Sequence, residues 1–166
     1  MTAPLSAQTF THGMRQLTLP VAVITVHSGG QRNGLTASSF CSVSTQPPRV
    51  LVCIGKQSST HSQLAVGEGI GVNVLAADQQ DIAMGFASKS VHGEQRFEQG
   101  CWRPLITGAP MLEGSAVSFD CVIDSIIDDT THSIVTATVV GMTHSDQPCL
   151  LYHNGAAVAM PTAQPA

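Results

Sequence analysis

The stretch VSFDCVID, residues 117–124, sets the fold class of this chain. Its apolar side chains recur at every second position and alternate with Ser and Asp, which is the period of a β-strand with one buried face. Turn-forming residues follow at 128–131 (DDTT), and a β-branched run follows at 134–142 (IVTATVVGM). The pattern therefore predicts two strands separated by a turn in this part of the chain.

Similar strand signals extend outward from this region in both directions. They are residues 19–27 (LPVAVITVH), 34–44 (GLTASSFCSVS), 50–54 (VLVCI), 69–75 (GIGVNVL) and a last short strand beginning at 150–152 (LLY). Helical signals are fewer: 7–17, a short helix near 61–66 after the capping residues Ser58, Ser59 and Thr60, and 79–88 with Asp78 as its cap. Residues 89–114 are predicted to be a long loop, and 161–166 a disordered tail.

Many short strands without a regular β-α-β alternation favour an antiparallel barrel or sandwich. The chain has 166 residues, 43% of them apolar, which suits one domain with a real core. No repeat or linker divides it, so we expect a single domain over residues 1–166 with an ordered part at about 7–160.

Charge and cysteine usage exclude several classes of protein. The net charge of −4 disfavours nucleic-acid binding, and no apolar run reaches the roughly 18 residues of a membrane helix. The N-terminus lacks the pattern of a signal peptide, and the five cysteines form no Cys-x-x-Cys pair, so we expect reduced, mostly buried thiols and a cytoplasmic location. All basic residues lie at or before Arg103, which places any anionic ligand in the first two-thirds of the chain.

Familiar catalytic and cofactor motifs are missing from the sequence. The glycine cluster GEGIG at 67–71 lacks the G-x-G-x-x-G spacing and precedes a predicted strand instead of opening a helix, and there is no P-loop. No G-x-S-x-G elbow and no H-E-x-x-H or paired-cysteine zinc pattern occurs. We therefore predict neither a hydrolase triad nor a metal site.

Two polar segments remain as candidates for ligand binding. Hydroxyl side chains on 34–44 could contact a flat heterocycle, although the segment could equally be an ordinary Ser/Thr-rich edge strand. In 53–60 (CIGKQSST) an apolar strand is followed by Lys56 and three hydroxyl residues. A cation beside the start of a helix would bind an anion, although the same hydroxyls could serve only as helix caps.

An ordered series of sequence blocks extends this observation. The blocks are GLTASSFCSVSTQPP (34–48), VLVCIGKQSST (50–60), GVNVL (71–75), RF (96–97), GAPMLEGSA (108–116) and THSIV (131–135). Together, over residues 10–152, they resemble the flavin reductase family, the small reductase components of two-component flavin monooxygenases. The resemblance implies a mainly β fold, an antiparallel Greek-key split β-barrel with a few short peripheral helices.

The same resemblance implies a set of cofactor-binding residues. It assigns the flavin ring and ribityl chain to Thr36, Ala37, Ser38, Ser39 and Ser42, the polar edge of the ring to Cys53, Ile54, Gly55, Lys56 and Gln57, and the phosphate to Ser58, Ser59 and Thr60 with Lys56 nearby. It adds Phe86, Arg96 and Phe97 as further flavin-proximal positions, and His132 as the contact to NADH or NADPH. Thr130 and Thr131 replace the Gly and Asp that precede this histidine in the family motif.

The function implied by the resemblance is NAD(P)H-dependent reduction of FMN or FAD by hydride transfer, with the reduced flavin passed to a separate oxygenase. A homodimer is expected, because members of the family are usually dimeric. Hydride transfer needs no protein acid or base, which agrees with the missing catalytic motifs. Two alternatives remain open: a flavoprotein that binds flavin tightly and serves another redox partner or acts as an oxidase, and a non-catalytic split-barrel binding module.

Overall fold

The computed structural model describes residues 4–158 and 160 of the chain and is predominantly β. Its strands are β1 (Leu19–Pro20), β2 (Ala22–Ser28), β3 (Gln31–Ala37), β4 (Phe40–Thr45), β5 (Pro48–Gly55), β6 (Gly69–Val74), β7 (Trp102–Pro104), β8 (Pro110–Leu112), β9 (Val117–Asp128), β10 (His132–His144), β11 (Leu151–His153) and β12 (Ala156–Val158). Helix α1 is Ala7–Met14, helix α2 is Gln80–Ala87, and single turns of 3-10 helix lie at His61–Gln63 and Gly93–Phe97.

A seven-stranded antiparallel sheet, in the order β3-β2-β6-β9-β10-β5-β4, forms the body of the molecule. Its two edges, β3 and β4, are consecutive in the chain and are joined by residues 38–39 alone. A flat sheet of this width would separate its edges by roughly 29 Å, whereas so short a link spans only about 11 Å. The sheet must therefore roll until its edges meet.

The rolled sheet confirms the Greek-key split barrel. Strands β6, β9 and β10 lie side by side in chain order, with the β7–β8 hairpin outside this sheet, and β5, which precedes β6 in the chain, lies on the other side of β10. Next to this link the pairing of β4 with β5 continues by one residue: the Cys53 N–H donates to the Ser39 carbonyl over 2.9 Å, and the Ser39 hydroxyl donates to the Cys53 carbonyl over 3.1 Å. No strand pairing joins β3 to β4 themselves, so the barrel stays open along this line in the part of the chain that the structure describes.

The barrel interior is filled by small and β-branched side chains. Ile24, Ile54, Val72, Ile123 and Val135 are almost fully buried there and belong to one contiguous cluster. Five such side chains contribute about 1.5–3 kcal/mol each when they leave water. The apolar strands at 50–54 and 69–75 are thus core strands, as their sequence predicts.

A second cluster packs α2 against the outside of the barrel. Phe86 of α2 meets Phe97 edge to face at 5.1 Å and Trp102 at 5.3 Å between ring centroids. Gly34 of β3 permits this approach, because an added Cβ would lie 2.8 Å from the Phe86 ring. The helix is thereby held against the edge strand beside the split.

Strand β9 is buried on both faces, which differs from the single buried face that its alternation predicts. Ser118 and Asp120 point away from the barrel interior yet are fully buried, since the segment 105–116 covers them. Asp120 accepts hydrogen bonds from the backbone N–H groups of Ile106 and Thr107, at 2.6 and 3.0 Å. The polar residues of this alternating pattern are therefore buried groups that bind the covering segment 105–116, and they do not face solvent.

Asn73 on β6 is the hub of this outer layer. Its side-chain oxygen accepts bonds from the Leu112 N–H at 2.9 Å and the Ser118 hydroxyl at 2.8 Å. Its amide nitrogen donates to the Val23 carbonyl at 3.1 Å. Asn73 is fully buried, so its hydrogen bonds satisfy polar groups of β8 and of the sheet that water cannot reach.

Several predicted boundaries are wrong. The extended run 34–44 is divided at 38–39 because the chain crosses there from one sheet edge to the other, and 19–27 is interrupted at Val21. The helix near 61–66 is a single 3-10 turn. Ser58 and Ser62 donate to the carbonyls of Gly55 and Ser59, and these local bonds compete with helix formation.

Other corrections concern the peripheral elements. Helix α1 ends three residues early, and Asp78 does not cap α2, because Gln79 occupies the cap position and its side chain accepts from the Ala76 N–H. The predicted loop 89–114 contains a 3-10 turn and the β7–β8 hairpin, whose three-residue strands are too short to show a period. Strand β12 was not predicted, and the tail 161–166 lies outside the described residues.

The cysteine prediction is only partly correct. All five thiols are free, but Cys41 and Cys101 are exposed, Cys53 and Cys149 are half-buried, and only Cys121 is in the core. Burial raises the pKa of Cys121 to about 12, so this thiol stays protonated at neutral pH. None of the helices in residues 4–158 has the length and apolar character needed to cross a bilayer.

The Asn73→Ala variant tests the outer layer. It leaves the Leu112 N–H and the Ser118 hydroxyl without their acceptor, so we expect a loss of roughly 3 kcal/mol in the free energy of unfolding, measured by urea denaturation. The control is Asp78→Ala, which removes an exposed side chain that is not the α2 cap. It should change stability by less than about 0.5 kcal/mol; equal effects of the two variants would contradict the assignment of Asn73 as a hub.

Candidate functional site

A groove of about 800 Å³ lies along the split of the barrel. One wall is the corner between β3 and β4, the other is the end of β5 with the loop that follows it, and the end of α2 closes a third side. Its lining residues are Leu35, Thr36, Ala37, Ser38, Ser39, Cys53, Gly55, Gln57, Ser58, Ser59, Thr60, Phe86, Ala87, Ser88, Lys89, His92, Arg96 and His132. The groove exists because residues 38–39 bring the two sheet edges together.

The structure brings most of the predicted site residues into this groove. They are Thr36, Ala37, Ser38, Ser39, Cys53, Gly55, Gln57, Ser58, Ser59, Thr60, Phe86, Arg96 and His132. Four predicted residues do not line it. Ile54 points into the barrel core, Ser42 is exposed along β4, Phe97 is buried in the aromatic cluster, and the Lys56 ammonium group lies 3.6 Å from the Asp128 carboxylate.

The corner at 36–39 presents few free hydroxyl protons. The Thr36 hydroxyl donates to the Ala83 carbonyl of α2 at 2.6 Å, and the Ser39 hydroxyl donates to the Cys53 carbonyl. Ser38 differs, because neither its hydroxyl nor its backbone N–H bonds to any residue within 4–158. Ser38 is therefore the polar residue of this wall that is available to a ligand.

The loop at 57–60 presents backbone donors instead of a helix terminus. The N–H groups of Gln57, Ser59 and Thr60 donate to no acceptor among the described residues, whereas the Ser58 N–H returns to the Gly55 carbonyl at 3.0 Å. Three unpaired N–H groups in one short loop can converge on an anion. The anion site predicted from the sequence thus rests on loop amides, since the expected helix does not form.

Asn33 fixes this loop to the opposite edge of the barrel. Its side-chain oxygen lies 3.3 Å from the Ser59 hydroxyl and 3.4 Å from the Thr60 hydroxyl, and it also accepts from the Gly34 N–H at 2.9 Å. Asn33 is on β3, while Ser59 and Thr60 follow β5, so these bonds cross the split. Asn33 was not among the predicted site residues, because one isolated Asn carries no spacing signal.

Arg96 acts on the backbone around the groove. Its Nη1 donates to the carbonyls of Phe86 and Gly34 at 2.6 and 2.7 Å, Nε donates to Val91 at 2.9 Å, and Nη2 donates to Ser88 at 3.0 Å. All four acceptors are neutral, and burial lowers the pKa of the guanidinium. The side chain thus satisfies orphan carbonyls at the end of α2 and ties the following loop to β3.

His132 begins β10 opposite Gly55 and is exposed at the mouth of the groove. Its Nδ1 lies 2.8 Å from the Thr131 hydroxyl. Thr131, which replaces the acidic member of the family motif, therefore orients the ring. The Nε2 side of the imidazole faces Gly55.

A chain of polar groups supports the loop from behind. The Ser133 hydroxyl donates to Asp128 at 2.6 Å, so the His61 Nε2, at 2.7 Å from Ser133, must be the donor in that second bond. The bond from Ser133, and next the charge of Lys56, hold the pKa of the Asp128 carboxyl below its usual range. Lys56, His61 and their partners thus anchor the loop to the β9–β10 turn.

A second cavity of about 680 Å³ adjoins the groove and is more apolar. It shares Thr36, Ala37, Ser38 and Ala87 with the groove. Its other lining residues lie just before β2, in α2, and in or beside the C-terminal strands: Val21, Gln80, Ala83, Met84, Leu150, Tyr152, Gly155, Ala156 and Ala157. Among these, Tyr152 was predicted only as the start of a strand. Its position here depends on the pairing of β11 with β1, which local sequence does not encode.

The chemistry of the groove suits an anionic, partly planar ligand. Its lining contains no Asp or Glu, although the whole chain carries a net charge of −4. Within the described residues no three His, Cys, Asp or Glu side chains meet as a metal site would need. Amide donors and hydroxyls converge there with no paired acid and base, an arrangement suited to binding a cofactor that brings its own reactive atoms.

Comparison with known proteins identifies relatives of the whole chain. The model of the flavin reductase like domain matches residues 14–160. An FMN reductase (NADH) RutF of Agrobacterium fabrum is 36% identical over 154 residues, covering 92% of this chain and 88% of that protein.

Solved structures agree with this match. The NADH:FAD oxidoreductase SgcE6 of Streptomyces globisporus, in complex with NAD and FAD fragments, is 29% identical with a TM-score of 0.84, covering 96% of this chain and 98% of that one. BorF, the flavin reductase component of a bacterial two-component tryptophan halogenase, is 30% identical with a TM-score of 0.86, covering 95% and 100%.

The Ser133→Ala variant tests the polar chain behind the loop. It removes the hydrogen bond that contributes most to the low pKa of Asp128, so we expect that pKa to rise toward the ordinary value for Asp, measured by NMR titration of the carboxyl carbon. Because the native pKa is depressed, the Asp128 contacts persist at neutral pH and are lost as pH falls through that lowered value.

Lys56→Ala is the comparison variant for this titration. It removes the charge of Lys56, the second-largest cause of the low pKa, together with the weaker hydrogen bond from the same ammonium group. The Asp128 pKa should therefore rise in this variant as well, and an unchanged pKa in both variants would contradict the assignment of Ser133 and Lys56 as its causes.

Proposed function

The chain belongs to the flavin reductase-like domain family, and from this premise we infer that it is an NAD(P)H-dependent flavin reductase. The observation that carries the inference is the groove at the barrel split, where amide and hydroxyl donors line a cavity free of carboxylates. Its reduced flavin would supply a separate oxygenase, in agreement with the two-component system of the structurally similar halogenase reductase.

The residues present fit an isoalloxazine nucleotide. A groove of about 800 Å³ is within the roughly 300–1,000 Å³ of ligand pockets. We propose that Thr36, Ala37, Ser38 and Ser39 contact the ring and the ribityl chain. The predicted contacts from Cys53, Gly55 and Gln57 would run along the polar edge of the ring. The Cys53 N–H already donates to the Ser39 carbonyl, so the backbone N–H of Gln57 is the donor that would bind the ring.

The loop at 57–60 would hold the phosphate of the flavin. The amides of Ser59 and Thr60 donate to no acceptor among the described residues. The hydroxyls of both residues are directed to Asn33, and Thr60 is fully buried. Asn33 and the polar chain through Ser133 keep the loop in place before any ligand arrives, which reduces the entropy cost of binding. Whether the cofactor is FMN or FAD depends on contacts beyond this phosphate.

When bound, the flavin supplies the hydride-accepting chemistry, and the protein supplies binding and orientation. Ser38 and the open amide of Gln57 would stabilise negative charge at the polar edge of the ring, much as an oxyanion hole does. His132 lies at the mouth of the groove, where it would contact NADH or NADPH and orient it over the exposed side of the ring.

Further features of the assembly belong to this proposal. We propose that the whole chain acts as one flavin reductase domain, located in the cytoplasm, where its five free thiols would stay reduced. A homodimer is supported by large apolar side chains exposed outside the groove, among them Val43, Ile106 and Met142. Light scattering of the purified chain tests the dimer, and a monomer at micromolar concentration would exclude it.

Steady-state oxidation of NADH with catalytic amounts of FMN or FAD tests the function. We expect each protein molecule to oxidise many molecules of NADH. The reaction is monitored by the loss of the absorbance of reduced nicotinamide. A protein that stays yellow through purification and does not turn over added flavin would instead be a tightly bound flavoprotein. If flavin changes neither the fluorescence nor the thermal stability of the protein, the chain would instead be a non-catalytic split-barrel binding module.

The Ser38→Trp variant tests the position of the ring. An indole at this corner fills the groove, so we expect flavin-dependent NADH oxidation to fall at least about a hundredfold while circular dichroism stays native. The control is Gln31→Trp, at the exposed opposite end of β3, which should retain activity. Normal turnover by Ser38→Trp would move the flavin site elsewhere.

The His132→Ala variant tests the contact to the nicotinamide nucleotide. We expect the KM for NADH to rise several-fold, by the loss of about 1 kcal/mol of binding, with a smaller change in the KM for flavin. His144→Ala, at the exposed far end of β10, is the matched control. Equal KM values for NADH in the wild type and in His132→Ala would contradict a contact between this histidine and the nicotinamide nucleotide.

A further inference from the structure

Three sulfur-bearing side chains meet on the outer face of the wall that β4 and β5 form. Met14, Cys41 and Cys53 line one hollow of about 450 Å³ there, here named the sulfur hollow. Met14 is the last residue of α1, Cys41 lies on β4 and Cys53 lies on β5. No spacing in the sequence predicts this meeting, because the three residues come from three different elements.

The register of β4 and β5 places both thiols on the same face. Cys41 pairs with Leu51, and Cys53 lies two residues further along β5, so its side chain points to the same side of the sheet as that of Leu51. Val52, which lies between them, is buried in the core on the other side. Burial and, next, the charge of the neighbouring Cys41 raise the pKa of Cys53, in agreement with two thiols that lie close together.

The diagonal relation of Cys41 and Cys53 suits a bridging ion better than a disulfide. Diagonal neighbours in an antiparallel pair have Cα atoms about 7–8 Å apart. A disulfide needs Cα atoms within roughly 6.8 Å of each other, and both thiols are free. A metal ion lengthens the bridge, because two metal–sulfur bonds of about 2.3 Å each take the place of one S–S bond. The register thus permits a thiolate–metal–thiolate bridge without movement of the strands.

The side chains around the sulfur hollow select a soft ion of low charge. Thiolate and thioether sulfur bind Cu(I), whereas Mg²⁺ and Ca²⁺ prefer oxygen ligands. Among the described residues that line the hollow there is no imidazole and no carboxylate, the groups that Zn²⁺ sites commonly add to cysteine. The other lining residues are apolar or carry a hydroxyl: Leu19, Phe40, Leu51, Ser38 and Ser39. Two or three sulfur ligands in apolar surroundings suit a monovalent ion.

From this arrangement we propose that Met14, Cys41 and Cys53 form a binding site for a soft monovalent metal ion of the Cu(I) class. Binding replaces the S–H bonds of Cys41 and Cys53 by metal–sulfur bonds, releases two protons to solvent and leaves the oxidation state of the ion unchanged. The affinity should therefore rise with pH. The site does not depend on the proposed function, although Cys53 also lines the flavin groove.

Titration of the reduced, flavin-free protein with Cu(I) in the absence of oxygen, in competition with the chelator bicinchoninate, tests the site. The wild type should bind one ion per chain. Cys41→Ser and Cys53→Ser should each lose at least about a hundredfold in affinity, because the loss of a group that merely supports a ligand already costs about 10–100-fold. Met14→Leu keeps the apolar volume and should lose about tenfold.

Cys101→Ser is the matched control, since Cys101 is also an exposed, free thiol but does not line the sulfur hollow. Its affinity for Cu(I) should equal that of the wild type within about twofold, because the change lies at an independent site. X-ray absorption at the copper edge should show sulfur neighbours only, at a distance close to the roughly 2.3 Å of other metal–thiolate bonds.

A loss of affinity in Cys101→Ser as large as that in Cys41→Ser would overturn the proposal, since isolated surface thiols would then bind the ion. Nitrogen or oxygen neighbours in the X-ray absorption spectrum, or tighter binding of Zn²⁺ than of Cu(I), would overturn it as well. An unchanged affinity in Met14→Leu would remove the third sulfur and with it the site as proposed. Because Met14 and Cys41 are exposed, their variants should fold even if Cys53→Ser does not, and they decide the proposal on their own.

Discussion

The two-residue link between β3 and β4 is the constraint on which the rest of the molecule depends. These strands lie at opposite edges of a seven-stranded sheet, and the link is too short to connect them unless the sheet rolls. The roll creates both the enclosed core and the line along which the edges meet without pairing. Backbone groups along that line stay available, and it is there that the groove forms.

Sequence reasoning predicted the strands better than the connections between them. Local sequence shows which strands are buried. It does so by alternation in 117–124 and by continuous apolar runs at 50–54 and 69–75. The buried state of Ser118 and Asp120 was not predictable, because it depends on the segment 105–116 folding over the sheet. The division at 38–39 was missed for the same reason, since nothing in a Ser-Ser pair shows that the chain changes edges there.

The candidate site shows the same limit. Ordered sequence blocks placed Thr36 to Ser39 and Ser58 to Thr60 near one ligand, and the structure brings them to one groove. The direction of a side chain is a separate matter: Lys56 faces Asp128 because a strand end and a turn happen to meet there. Asn33, Lys89 and His92 lie in no recognisable motif, and only the tertiary fold brings them to the loop or the groove.

The corner at 36–38 separates two chambers, the polar groove and the apolar cavity beside it, and it lines both. A partition one strand thick gives each residue on it two environments, so enlarging a side chain such as that of Ala37 would constrict both chambers. A substitution at these positions could not change the shape of one chamber without also changing the shape of the other. Divergence in ligand preference among such proteins should then fall on the outer walls, where each chamber has residues of its own.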